Sequence, residues 1–210
     1  LLNCGFPLKV SGETDFPCIT DSRVGQGRVY VQLGTKIKKI EFKDWAEGLA
    51  KGRSYVSDGY AHALQFSVDD KPAGDKVKLR EPGKVVVKAK VAFASETPLG
   101  TAQGGQMPKG RTRLVEVIVN GRPVATQEVA ADDKEHDLVF TLPIEQSSWI
   151  ALRQFPQMHT NPVDVIVNDQ PIRVSEKSAL WCVETIEQLW RVRAKVIDPE
   201  ERAEAERVFQ

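Results

Sequence analysis

The sequence predicts an α+β chain in three parts: an α/β opening over residues 1–59, an antiparallel β-sandwich over 60–174, and a pair of helices over 175–210. Three observations carry this. Asp44 to Gly59, DWAEGLAKGRSYVSDG, runs helix, glycine, strand, which is the repeating step of an α/β layer. Beyond Gly59 the hydrophobic period changes to two, most plainly at Val85, Val87, Ala89, Val91 and Phe93, with Lys88 and Lys90 on the opposite face. Beyond Val174 the apolar residues Ala179, Val183, Ile186, Leu189 and Trp190 return at helical spacing.

Composition narrows the function classes. The 210 residues are 41% hydrophobic and 28% charged, with 29 basic and 29 acidic side chains. That balance leaves no global field to recruit nucleic acid or an anionic membrane. No apolar run approaches the ~20 residues that span a bilayer. Neither nucleic acid nor a membrane span is therefore expected. The sequence opens Leu1-Leu2-Asn3, with no Met and no charged or apolar leader, so it reads as the downstream part of a longer or processed product and assigns no compartment. Cys4, Cys18 and Cys182 are too scattered for a disulfide framework; buried thiols are the simpler reading, and a Cys4–Cys18 bridge stays open.

In the opening part, Phe6 to Val10 reads as a short strand, interrupted by Pro7, that delivers Glu13-Thr14-Asp15 to its C-terminal end. Acids just past a strand end sit where α/β barrels keep their chemistry, although Thr14 and Asp15 also suit a simple turn. Gly25 and Gly27 precede the strand Arg28 to Leu33; a phosphate loop needs strand, glycines, helix in that order, so these are turn glycines. Arg23 and Arg28 are candidates to face an anionic substrate, or are surface arginines. Ile37 and Ile40, among lysines, suit a helical turn. Asp44 with Glu47 makes a capping-box pattern, Trp45 and Leu49 share a face, and Gly52 supplies the left-handed stop before Tyr55 and Val56.

In the middle part, Asp69 to Gly74 and Pro82-Gly83 are turns. The segment 95–113 is a Gly- and Pro-rich loop, either functional or a surface insertion. Val115 to Val124 and Val163 to Ile172 echo one another: an apolar strand, an Asn-led two-residue turn, and a returning strand. Leu138 to Ile144 and Trp149 to Phe155 are strand-like, and short strands between turns suggest a sandwich. In the last part Asp198-Pro199-Glu200-Glu201 opens a second helix running to Phe209, and Trp181 and Trp190 are expected to pack the helices back on the chain. Of the histidines, His136 sits in an acidic loop and His159 precedes Thr-Asn-Pro. His62, four residues after Asp58, is a weak metal-ligand candidate and more simply an exposed turn residue.

Asn3-Cys4-Gly5, Ser11-Gly12-Glu13-Thr14-Asp15-Phe16-Pro17, Gly27 to Val31 and Trp45 to Gly59 occur together and in this order. The ordered set resembles the C-terminal part of a CehA/McbA-type metallohydrolase of the polymerase-and-histidinol-phosphatase (PHP) superfamily. It continues weakly through Ser147-Ser148-Trp149, His159 to Pro162 and Ala179 to Cys182. The resemblance implies a distorted α/β barrel whose last part is residues 1–59, divalent metal (Zn, Mn or Fe) in the parent, and a small-molecule ester or phosphoester hydrolysed by metal-activated water. It makes Asp15 a candidate metal ligand, with Glu13 and His62 weaker ones and Arg23 and Arg28 substrate-binding candidates. Pro17 stands where the superfamily's Asp-x-His motif would place His, and no early His-x-His is present. One aspartate cannot hold a cation that needs four to six ligands. The chain alone is therefore expected to bind no metal tightly, and the upstream barrel segment is its implied partner. The alternative is a non-catalytic β-sandwich that binds a glycan or a protein.

Overall fold

The computed structural model describes residues 1–14, 24–34, 38–97 and 110–209. The predicted Cys4–Cys18 option, the Asp15 and Arg23 candidates and most of the 95–113 loop lie outside them.

After a 3-10 turn at Leu2–Cys4, the strands run β1 (Arg28–Val31), β2 (Ser54–Ser57), β3 (Ala61–Val68), β4 (Lys71–Pro72), β5 (Lys76–Leu79), β6 (Gly83–Phe93) and β7 (Thr112–Val119). They continue as β8 (Arg122–Ala130), β9 (Glu135–Ile144), β10 (Ser148–Gln154), β11 (Met158–Thr160) and β12 (Val163–Val167). The helices are α1 (Phe42–Ala50), α2 (Glu176–Arg193) and α3 (Arg202–Phe209). Among the described residues the strands form an eight-stranded and a four-stranded sheet. The smaller sheet has the order β4-β3-β6-β9 and is antiparallel throughout. In the larger one, β10 pairs with β7 on one side and with β11 and then β12 on the other; β2 extends β11, β5 extends β12, and β1 and β8 close the edges.

This corrects the expected fold class. The opening segment is not the end of an α/β barrel: β1 and β2 form an antiparallel hairpin whose second strand pairs antiparallel with β11, so both belong to the large sandwich sheet. The one parallel pair among the described strands is β12 with β5. The helix–glycine–strand reading fails because it is local: α1 and β2 do follow one another through Gly52 (φ 73°), but β2 pairs antiparallel with β1 on one side and, on the other, with β11 about a hundred residues downstream. The antiparallel sandwich and the C-terminal helices are as expected.

The period-two residues make the core. Val85, Val87, Ala89, Val91 and Phe93 of β6 face Val115, Val117, Ile150, Leu152, Val163 and Val165 of the other sheet, all at or below 5% exposure. Strand β10 is covered on both faces. Ile150 and Leu152 enter the sandwich core, while Trp149 and Ala151 join Ile118 and Ile172 in a second cluster on the outer face. Leu2 and Val174 pack on that cluster, and the Trp149 Nε1–H donates to Asn3 Oδ1 at 2.7 Å. A buried indole thus has its one donor satisfied.

Local differences have local causes. Residues 6–10 form no strand; Pro7 removes a donor, and Val10 bonds instead to the Asn161 side chain. Helix α1 begins after Glu41, leaving Asp44 in its first turn, and Glu47 lies toward Lys43 and Lys51. Residues 38–41 are not helical. The Asn120-Gly121 turn (φ 55° and 86°) returns as β8, as expected, but Asn168-Asp169 (both φ 51°) returns no strand, since residues 170–175 cross the outer face. Trp190 meets Phe209 in a tilted ring contact (centroids 5.2 Å apart, planes inclined 40°), joining α2 to α3, whereas Trp181 is 55% exposed rather than packed back.

Candidate functional site

The β1–β2 hairpin, the Ser57-Asp58-Gly59 turn and the β10–β11 turn surround a cavity of about 560 Å³. Its walls include Gly12, Gly27, Arg28, Asp58, Arg153, Phe155, Gln157 and His159. The polar floor is a buried chain. Gln157 donates from Nε2 to Asp58 Oδ2 (2.9 Å), and its Oε1 accepts from Arg113 Nε (3.3 Å). Asp58 Oδ1 accepts the Tyr60 amide (2.8 Å), which fixes the turn. Asp58 and Arg113 are only 9% and 3% exposed; Gln157 bridges them, Arg113 Nη1 also donates to the Gly110 and Thr112 carbonyls at 2.9 Å each, and the Asp58 charge acts on both Arg113 and Arg28.

Two arginines line the walls. Arg153 donates to Glu116 at 2.7 Å, and that pairing neutralises much of its charge. Arg28 donates through Nε to the Gly25 carbonyl and through Nη1 to the Tyr30 hydroxyl at 3.4 Å, both neutral acceptors. Gly59 has φ 89° and lies so close to the Arg28 guanidinium that a Cβ there would collide with it. His159 uses Nδ1–H to reach the Thr160 carbonyl (2.7 Å), and burial pushes its pKa below the ordinary value, so the neutral ring keeps Nε2 as an acceptor. Phe155, 71% exposed, forms an aromatic lip with Pro156 after a cis peptide bond.

The sequence-predicted residues are distributed unevenly. Arg28 is in the cavity wall. Glu13 is exposed and accepts from the Ser11 hydroxyl at 2.8 Å, while its backbone carbonyl abuts Gly27. His62 is not an exposed turn residue: it lies on β3, with Nδ1 2.9 Å from the Tyr55 hydroxyl and its ring edge-on to Tyr30 at 5.0 Å. Tyr30 and Tyr55 stack at 5.0 Å; burial pushes the Tyr55 phenol up and the His62 imidazole down, so both are neutral near pH 7. No three His, Cys, Asp or Glu residues among those described could hold a metal together. The described residues therefore do not fit the metal that the resemblance implies. Arg153 and Phe155 are hidden in the sequence because Trp149 to Phe155 reads as core strand, and Gln157 because it lies in the turn beyond; the Phe155-Pro156 break is the available signal.

No family model matches the chain, and no curated protein does. Two solved structures are similar over parts of it. One is the CARDB domain of a Pyrococcus furiosus protein in complex with di-metal ions: 14% identity, TM-score 0.31, covering 51% of this chain and 96% of that one. The other is a superoxide reductase (neelaredoxin) from Ignicoccus hospitalis: 20% identity, TM-score 0.24, covering 51% of this chain and 82% of that one. The sandwich assignment rests on the strand pairing itself. No helix among the described residues is long and apolar enough to cross a membrane.

Proposed function

We propose that this chain is a non-catalytic β-sandwich binding module whose ligand carries an acidic group, a carboxylate or a phosphate. The cavity walled by Arg28 carries the reading: it joins a guanidinium whose hydrogen bonds among the described residues go to neutral acceptors, with the Asp58 carboxylate adding only a longer-range attraction, to an exposed aromatic lip at Phe155. A guanidinium forks onto planar anions, and an aromatic face covers the apolar part of a ligand, such as a sugar ring. Calorimetry of the whole chain against acidic oligosaccharides and acidic peptides tests it. Binding that Arg28→Lys weakens at least about tenfold and Phe155→Ala weakens separately is expected. Binding indifferent to both substitutions, or none to either ligand class, overturns it.

A second reading, the downstream portion of a metal-dependent hydrolase, is favoured by one observation. The sequence segments that carry the resemblance are neighbours in space: Gly12 against Val56, Gly27 against Glu13, Gly59 against Arg28, and β1 paired with β2. In that reading the cavity supports a site completed by upstream sequence, and Arg28 holds the anionic part of a phosphoester. Titration of the metal-stripped chain with Zn²⁺ and Mn²⁺, alone and joined to its upstream segment, tests it. Tight binding only in the joined form, lost with Asp15→Ala, is the expected result.

A further inference from the structure

We propose that Cys4 and Cys182 form a reversible disulfide that locks the C-terminal helices onto the sandwich. Their sulfurs lie 3.8 Å apart, and both thiols are free. A disulfide bond is about 2.05 Å long, so closing it needs an approach of under about 2 Å, within reach of side-chain rotation and a small helix shift.

The two cysteines are brought together from opposite ends of the chain by contacts that do not involve sulfur. The Leu2–Cys4 turn is fixed by Asn3: its Oδ1 accepts from Trp149, its carbonyl accepts the Val174 amide at 2.8 Å, and its Nδ2 reaches Ser178 Oγ at 3.5 Å. Gly5, at φ 82°, then turns the chain where a Cβ would press on the Ile172 carbonyl. Ser178 and Cys182 are four residues apart on α2, hence on one face in successive turns. Asn3 and Cys4 therefore meet that face at two adjacent points, which sets both the position and the rotation of α2 for the sulfurs to meet.

What the bond would hold is otherwise lightly attached. Helix α2 buries none of its residues, and its contacts run chiefly to the Leu2–Cys4 turn and to α3. Oxidation by a disulfide such as oxidised glutathione balances as two exchanges. One cysteine thiolate attacks the glutathione disulfide and expels one glutathione thiolate. The second cysteine then attacks the mixed disulfide and expels the other, so two protons and two electrons leave the pair as two reduced glutathiones.

The test uses the whole chain, equilibrated in glutathione buffers of graded ratio, quenched by alkylation and digested with trypsin. The expected product links residues 1–9 to residues 178–191, forms in buffers that leave an isolated surface thiol reduced, and persists in Cys18→Ser. Cys4→Ser and Cys182→Ser should each abolish it. Oxidation should also slow native-state tryptic cleavage after Arg191 and Arg193 several-fold, and dithiothreitol should restore the rate. Glutathione adducts on Cys4 and Cys182 without the linked peptide, or a bridge from either to Cys18, would overturn the proposal.

Discussion

Asn161 ties the opening segment to the sandwich, and replacing it by alanine should cost measurable stability. Its Oδ1 accepts the Val10 amide at 2.7 Å, while Nδ2 donates to the Val10 carbonyl at 3.2 Å and to Ser54 Oγ at 2.8 Å. Asn161 and Ser54 are 1% and 4% exposed, but Val10 is 42% exposed, so water can replace part of what Val10 loses. Three bonds at about 0.5–1.5 kcal/mol each, discounted for that water, give a loss of about 2–3 kcal/mol for Asn161→Ala. For a chain of this size that lowers Tm by about 5–10 °C. Calorimetry reads the shift, and tryptic cleavage after Lys9 should accelerate because Val10 loses its anchor. Asn161→Asp keeps the shape but loses both donors; it should be at least as unstable at pH 7 and recover partly in acid, where a protonated carboxyl donates again. A Tm within about 1 °C of the parent, with unchanged cleavage after Lys9, would refute the reasoning.

Three further outcomes are expected. Burial lowers the folded-state pKa of His62 and His159 below the ordinary 6.5, so the unfolded chain takes up protons first as pH falls. Stability is then full above pH ~6.5 and declines below it; urea unfolding at pH 7.5 and 5.5 should show the drop, and His159→Gln should lessen it. Gly74, at φ 85°, lies against the Lys51 carbonyl and donates its amide to Pro162 O at 2.8 Å, so Gly74→Ala should cost at least about 2 kcal/mol by denaturant titration. Phe93, 1% exposed at the end of β6, should cost about 3–5 kcal/mol as Phe93→Ala, read the same way.

What could be read beforehand was whatever a few neighbouring residues decide. The alternation from Val85 to Phe93 gave the buried face of β6, and Asn120-Gly121 gave the β7–β8 hairpin, since both depend on periodicity and turn chemistry within about ten residues. The same logic misplaced β2, whose neighbour β11 is a distant segment, and it promised a return strand after Asn168-Asp169. There residues 170–175 cover Trp149 instead, a role no local pattern encodes. At the cavity, Arg28 is a candidate from the sequence only on the premise of a barrel mouth, which the strand pairing removes, and it lines the cavity because β1 pairs with β2. Arg153 is not, because a strand residue that lines a surface at a sheet's end looks like any other in that strand, and Gln157 is not, because its role in the β10–β11 turn depends on Asp58 and Arg113 from distant segments.

The pairing of β2 with β11 also orders events during synthesis. A ribosome has made residues 54–57 long before residues 158–160 exist, so one edge of the β1–β2 hairpin stays without its ladder for about a hundred residues of elongation. The Asn161 anchor and the Asn3–Trp149 bond arrive equally late. The opening segment is therefore translated ahead of the strands it pairs with and is among the last of these residues to dock, and a nascent chain stalled before residue 158 should present that hairpin edge to chaperones and proteases.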